Sequence, residues 1–157
     1  MKINLHTKIR VRVLLALIVF AGGIFNVSGA NRFSVATGNW NAIATWSATS
    51  GGGAGASVPV AGDVVTIERG FTVTVTATAA CASVSFTTLT GASSLTISGT
   101  NTLSVSGSIT MSRPSTGFVH TINVNAGTVT SGSFTMNATT TTRNNIVNIS
   151  TGTFTVN

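Results

Sequence analysis

The chain has 157 residues, with 8 Lys and Arg against 2 Asp and Glu, 6% charged residues and 43% hydrophobic residues. The charged fraction is far below the usual quarter, which excludes a helical bundle or a coiled coil with charged faces. The same composition removes most of the side chains that enzymes use. The sequence therefore predicts a protein with no catalytic activity and no cofactor, built as one domain after its leader.

The first 30 residues have the three-part layout of a secretory signal peptide. The apolar run from Val13 to Phe25 is about thirteen residues long, shorter than the roughly 20 residues that span a bilayer. Small residues follow at positions 28 to 30, and we expect cleavage after Ala30. Four of the eight cations precede the run, at Lys2, Lys8, Arg10 and Arg12. We therefore expect a secreted or cell-surface bacterial protein with no membrane span after cleavage.

The mature chain carries little net charge. It keeps four arginines and no lysine against Asp63 and Glu68, which gives a net charge of +2. Scattered arginines do not form a basic stripe that follows phosphates, so nucleic acid is excluded as a partner. Cys81 is the only cysteine, and no internal disulfide can form.

Residues 31 to 57 form an opening segment that contains a glycine-rich stretch from Gly51 to Gly55. Residues 58 to 157 then alternate between apolar and small polar side chains, as in Phe71 to Thr76. A period of two predicts β-strands with one set of side chains inward and the other outward.

The alternating region repeats itself. Residues 106–111 match 131–136, and residues 122–130 match 147–155, both at an offset of 25. This register predicts four coils, covering residues 62–86, 87–111, 112–136 and 137–157. A long fixed period of strands and turns favours a parallel β-solenoid over an antiparallel sandwich, whose strands need no such period. The predicted fold class is an all-β parallel β-solenoid.

Stacked coils place equivalent residues above one another. The predicted inward ladders are Val84, Ile109 and Phe134, and Phe86, Met111 and Met136. The outward hydroxyl pairs form two series: Ser83/Ser85, Ser108/Thr110 and Ser133/Thr135; and Thr76/Thr78, Thr102/Ser104, Thr128/Thr130 and Thr153/Thr155. Threonine suits an exposed pleated surface because it is both β-branched and polar.

The opening segment and the first strands resemble a known family. The matching residues are Gly38-Asn39-Trp40-Asn41, Thr45-Trp46-Ser47, Pro59, Gly62-Asp63, Val65-Thr66-Ile67, Gly70 and Val73-Thr74-Val75. This pattern is similar to the N-terminal part of large, adhesin-like secreted proteins of the Bacteroidetes with a right-handed parallel β-helix. The resemblance implies that residues 31–57 cap the solenoid and that the protein acts outside the cell or at its surface.

The predicted last coil is short, since residues 137–157 fill 21 positions of a 25-residue unit. An open solenoid end exposes unpaired backbone and invites edge-to-edge association. We therefore expect the chain to be the N-terminal part of a longer protein, and end-to-end self-association is a second expectation.

Few residues of the mature chain are candidates for chemistry. Asp63 and Glu68 are five positions apart, so on one strand they point to opposite faces and do not form a glycosidase pair. We expect a turn aspartate and a solvated glutamate. His120 is expected in a loop and Cys81 as a small coil residue; they are 39 residues apart and do not predict a metal site. No catalytic residue and no metal ligand is predicted.

A binding function rests on five candidate residues. Trp40 and Trp46 offer aromatic faces that stack on sugars, or alternatively they cover the apolar end of the first coil. Arg113, His120 and Arg143 fall in connectors at equivalent points of successive coils and line one side of the column, or they belong to ordinary exposed turns. The expected ligand is an extracellular polysaccharide or another cell-surface component.

Three function classes follow. The leading one is a non-catalytic extracellular or cell-surface module of structural or adhesin type. The second is a polysaccharide-binding module. The third is an ice-binding protein, because regularly spaced threonine pairs on a flat face are similar to those of some antifreeze proteins.

Overall fold

The structure is a computed structural model that describes residues 29–87, 91–137 and 144–157. The predicted signal peptide lies outside these ranges except for Gly29 and Ala30. None of the helical structure in the described ranges is long or apolar enough to cross a membrane. The elements there are β1 (Asn31–Ser34), β2 (Gly38–Asn39), a 3₁₀ turn (Ile43–Thr45), β3 (Trp46–Ser47), β4 (Val64–Ile67), β5 (Thr72–Val75), β6 (Ala79–Cys81), β7 (Ser83–Phe86), β8 (Ser94–Ile97), β9 (Thr102–Met111), β10 (Val119–Val124), β11 (Thr128–Met136), β12 (Asn144–Ile149) and β13 (Thr153–Val156).

The strands form two sheets whose pairs are parallel, apart from that of β1 with β3. The smaller sheet has the order β2-β5-β8-β10-β12, and the larger has the order β3-β1-β4-β7-β9-β11-β13, with β6 also paired to β9. No two paired strands of the described ranges are consecutive along the chain, so the chain winds instead of folding back in hairpins. The fold is a parallel β-solenoid of about three turns. This confirms the predicted fold class, and the predicted four coils are too many.

The larger sheet divides into two walls at one corner of the solenoid. β6 and β7 are separated by Ala82 alone, and they pair with the first and second halves of β9. At this corner the N–H of Gly107 donates to the carbonyl oxygen of Ala82 at 2.8 Å. A Cβ atom on Gly107 would lie 2.8 Å from the same oxygen. Glycine is needed because the stacked backbones approach too closely to admit a side chain.

The strand register confirms both predicted inward ladders. The residues that stand above one another are Val84, Ile109 and Phe134 in one ladder and Phe86, Met111 and Met136 in the other. In the outward series, Ser104, Thr130 and Thr155 align as predicted. The residue stacked below Ser104 is Ala80, so the prediction that Thr78 stacks there is wrong.

The wrong alignment arises because the coils differ in length. Stacked residues are 19 positions apart for Val65 and Val84, but 27 positions apart for Leu95 and Ile122. The step of 25 is accurate for the last coils, where the repeat is visible in the sequence. Extending it backward from β7 moves β4 out of register.

The opening segment joins the solenoid sheets. β1 pairs in parallel with β4, and β2 pairs in parallel with β5, so residues 31–39 add an incomplete further rung. β3 then pairs antiparallel with β1 and is the last strand of the larger sheet. A short antiparallel strand at this position ends the parallel stacking and protects the edge of the sheet.

Candidate functional site

The two tryptophans lie inside the first rung. Trp40 is 3% exposed and Trp46 is 0% exposed. Their rings meet edge to face, with centroids 5.3 Å apart and planes at 74°. The indole N–H of Trp46 donates to the carbonyl oxygen of Trp40 at 2.7 Å. The backbone N–H of Trp40 donates to the carbonyl oxygen of Thr74 at 2.8 Å, which ties the pair to β5.

This geometry answers the question that the sequence left open for the tryptophan pair. A sugar-stacking platform needs an exposed aromatic face, and neither ring presents one. The pair instead covers the apolar end of the first coil. A turn with hydrogen bonds from Ala42 to Asn39 and from Thr45 to Ala42 brings Trp46 back against Trp40.

His120 is a strand residue of the interior, and the expectation of a loop histidine is wrong. It lies in β10, is 0% exposed and packs against Phe86 with ring centroids 5.6 Å apart. Nδ1 accepts the N–H of Ser93 at 3.3 Å, so the proton resides on Nε2, which donates to the carbonyl oxygen of Thr87 at 2.9 Å. Burial lowers the pKa of His120, although its two hydrogen bonds to the backbone oppose this. The neutral ring therefore links β10 to Thr87, which follows β7, and to Ser93, which precedes β8.

The four described glycan-binding candidates do not form one surface. Trp40 follows β2, whereas His120 lies in β10, three strands further along the smaller sheet. Arg113 is exposed in the segment between β9 and β10. Arg143 lies outside the described residues. Of the five, Arg113 is the only described residue that solvent reaches freely.

Glu68 is buried, and the expectation of a solvated glutamate is wrong. It is 1% exposed. Its carboxylate accepts the hydroxyl of Ser50 at 2.9 Å and the N–H of Gly51 at 3.1 Å. The Nε of Arg69 lies 3.2 Å from Oε1. These bonds fasten the glycine-rich stretch to the end of β4, so this carboxylate has a structural role.

Asp63 is also buried, at 3% exposed. Its two oxygens accept backbone N–H groups from Ala30 and Val60, at 2.8 and 3.1 Å. Arg32 lies 3.7 Å from Oδ2. The aspartate thus closes the turn before β4, as expected from the sequence, and it also holds the residue that precedes β1.

The reactive groups of the described ranges include potential metal ligands and the thiol of Cys81. No cluster of three or more His, Cys, Asp and Glu side chains able to hold a metal occurs among them. Burial raises the pKa of the Cys81 thiol to about 12, and the charge of Asp63 adds to the effect. A thiol with this pKa is a poor nucleophile at neutral pH.

Small polar side chains line the outside of the smaller sheet. One outward ladder is Asn39, Thr74, Thr96, Asn123 and Asn148. Its members bond to one another, since the amide of Asn148 donates to Oδ1 of Asn123 at 2.9 Å. The neighbouring ladder also contains Ile146, which stacks on Thr121 and is 39% exposed. The wall is polar and pleated, without a regular array of threonine pairs.

Two shallow depressions lie elsewhere on the surface of the described residues. One, of about 220 Å³, is lined by Val35, Gly51, Gly52, Arg69 and Phe71. The other, of about 320 Å³, runs along the corner of the larger sheet beside Cys81 and Gly132. Neither brings together an acid and a base.

Comparison with known proteins adds no relationship. The chain matches no family model, no curated protein and no solved structure.

Proposed function

We propose that this protein is a non-catalytic extracellular or cell-surface module of structural or adhesin type, of the right-handed β-helix kind that the opening segment resembles. The observation that carries the proposal is the use of its polar side chains. Asp63, Glu68 and His120 are buried and bonded to backbone groups that hold successive rungs together. The groups that elsewhere perform catalysis thus serve here to build a column.

The described part of the column presents sheet faces that carry two shallow depressions. Its outward ladders are short hydroxyl and amide side chains, which suit contact with other polymers along the length of the solenoid. Association through such a surface depends on many weak contacts, as expected of a scaffold or adhesin.

We also propose that the module is the N-terminal part of a longer secreted protein. Side chains of the last rung are apolar and open to solvent: Met136 is 41% exposed, and Ile149 and Val156 are each 50% exposed. A further coil stacked on this end would bury them. The coding sequence after Asn157 tests this point, because an in-register continuation supports it and a stop codon contradicts it. If a stop codon is found, light scattering will show whether a second copy covers the end.

The polysaccharide-binding alternative loses its strongest candidates because both tryptophans are buried. The ice-binding alternative needs an even threonine face, and Ser104 and Ala80 interrupt the predicted threonine series on the larger sheet. Retention on an insoluble polysaccharide would favour the first alternative over a purely structural role, and thermal hysteresis would favour the second.

The location is tested with the full chain, leader included, carrying a C-terminal epitope in a bacterial host. We expect the epitope in the medium or accessible to antibody on intact cells. The matched control is Leu17→Arg, which breaks the apolar run of the leader and is expected to keep the protein inside the cell. Wild-type protein that is retained in the cytoplasm to the same extent as this control contradicts the proposal.

A further inference from the structure

Ala30, which precedes β1, is bonded to the buried carboxylate of Asp63. The N–H of Ala30 donates to Oδ1 of Asp63 at 2.8 Å, and the carbonyl oxygen of Ala30 accepts the N–H of Val64 at 3.0 Å. Oδ2 of Asp63 accepts the N–H of Val60 at 3.1 Å and lies 3.7 Å from Nε of Arg32. Both backbone groups of Ala30 are therefore bonded to the fold, one of them to a charged side chain.

The residue before Ala30 has a different environment. A Cβ atom on Gly29 would overlap the carbonyl oxygen of Gly62, and the clash is with backbone that cannot easily move. In the uncut chain, position 29 therefore admits only glycine. Removing everything up to and including Gly29 leaves both bonds of Ala30 in place.

We propose that the leader is removed after Gly29 and that Asp63 binds the new α-ammonium group of Ala30. The inference rests on the proposed export of the protein and identifies its processing site. In the cleavage step water hydrolyses the Gly29–Ala30 peptide bond. The carbonyl carbon of Gly29 takes the hydroxyl and leaves with the leader as a carboxylate, and the nitrogen of Ala30 takes protons and becomes an ammonium.

Cleavage after Ala30, the site expected from the sequence, breaks two bonds of the fold. It removes the donor to Oδ1 of Asp63 and the acceptor of the Val64 N–H. A buried acceptor that loses its partner is destabilising. Cleavage after Gly29 strengthens the first bond instead, because a neutral N–H donor becomes a charged one. Since a small residue ends the leader in either case, the structure and not the sequence distinguishes the two sites.

The composition of the chain gives this inference a direct test. Both lysines, Lys2 and Lys8, precede the site, so the processed chain has a single amine, its N-terminus. The exported protein is collected and its N-terminal sequence and intact mass are determined. An amine-acylating reagent is then applied to the folded protein and to the same protein unfolded in urea.

We expect Ala30 as the first residue and acylation in the folded state slower by about tenfold or more, the factor expected when an ammonium is hydrogen-bonded to a carboxylate. Asp63→Asn should restore fast labelling. Glu68→Gln, which removes the other buried carboxylate, is the matched control and should leave labelling slow. If Asp63→Asn does not fold, the comparison of folded and unfolded wild-type protein still decides.

An N-terminal residue other than Ala30, such as Asn31, overturns the inference. Folded wild-type protein that is acylated as fast as unfolded protein, or as fast as folded Asp63→Asn, also overturns it. A full-length mass with Met1 present contradicts both the inference and the proposed export. A leaderless protein that begins at Asn31 contradicts the inference alone.

Discussion

Replacing Ile109 with alanine should destabilise the solenoid far more than the same change at Thr110. Ile109 is 0% exposed and stacks between Val84 and Phe134 in an inward ladder. The substitution removes three buried carbon atoms, worth about 0.8 kcal/mol each by transfer. The cavity left between rungs adds to this, so we expect a total loss of about 3–4 kcal/mol. Thr110 is the adjacent outward residue, and its replacement should cost less than about 1 kcal/mol.

Urea unfolding provides the assay. Far-ultraviolet circular dichroism follows the strands, and the fluorescence of Trp40 and Trp46 follows the first rung, because these are the two tryptophans of the chain. Coincident transitions by both probes would allow the two free energies to be compared directly. Equal losses for the two variants, or a larger loss for Thr110→Ala, would refute the assignment of inward and outward faces.

Three further predictions concern buried groups and a corner. Burial lowers the pKa of His120. The neutral histidine therefore contributes its full stability above the ordinary histidine pKa of about 6.5, and this contribution is lost as the pH falls below that value. The urea midpoint should drop between about pH 8 and about pH 5.5, and it should drop less in His120→Gln. Because burial raises the pKa of Cys81 to about 12, a thiol reagent at neutral pH should label it only after unfolding, and rapid labelling of the folded protein would contradict its position. Gly107→Ala should lower the free energy of unfolding in urea by about 1–3 kcal/mol, because the new Cβ would lie 2.8 Å from the carbonyl oxygen of Ala82. Gly53→Ala should lower it by less than about 0.5 kcal/mol, because a Cβ there would meet nothing within 4 Å.

The sequence was sufficient for the features that repeat. Alternation predicts which side chains of β7, β9 and β11 point inward, and the offset of 25 between Ile109 and Phe134 predicts parallel stacking. Both are properties of neighbouring residues or of a constant period. The prediction became wrong where the period changes, as between Ala80 and Ser104, because the length of an irregular connector leaves no pattern in the sequence.

The buried polar residues were beyond such reasoning. His120 accepts a bond from Ser93, 27 residues away, and donates to Thr87, 33 residues away. Glu68 is satisfied by Ser50 and Gly51, in a stretch that reads as a linker. A polar residue that is paired inside a solenoid looks like a surface residue until its partners are known, because their positions depend on how the coils stack.

The Trp40 and Trp46 pair shows the opposite case. Their spacing was visible in the sequence, and both uses of the pair could be named. Only the depth of the two rings, at 3% and 0% exposed, decides between a binding platform and a covered core end. The sequence thus indicates that two aromatic rings belong together, and the structure shows what they do there.

Stacking of parallel rungs is tested most directly by engineered disulfides along one outward ladder. Ser85, Thr110 and Thr135 occupy equivalent positions of β7, β9 and β11. Neighbouring strands lie about 4.8 Å apart, within the Cα separation of about 4.4–6.8 Å that a disulfide requires. Residues two rungs apart are about 10 Å from each other, which is too far.

The oxidised double variants Ser85→Cys/Thr110→Cys and Ser85→Cys/Thr135→Cys are therefore compared by mass spectrometry of their proteolytic fragments. The account predicts an internal disulfide in the first variant and free thiols in the second. A disulfide in the second variant, or none in the first, would contradict the stacked solenoid.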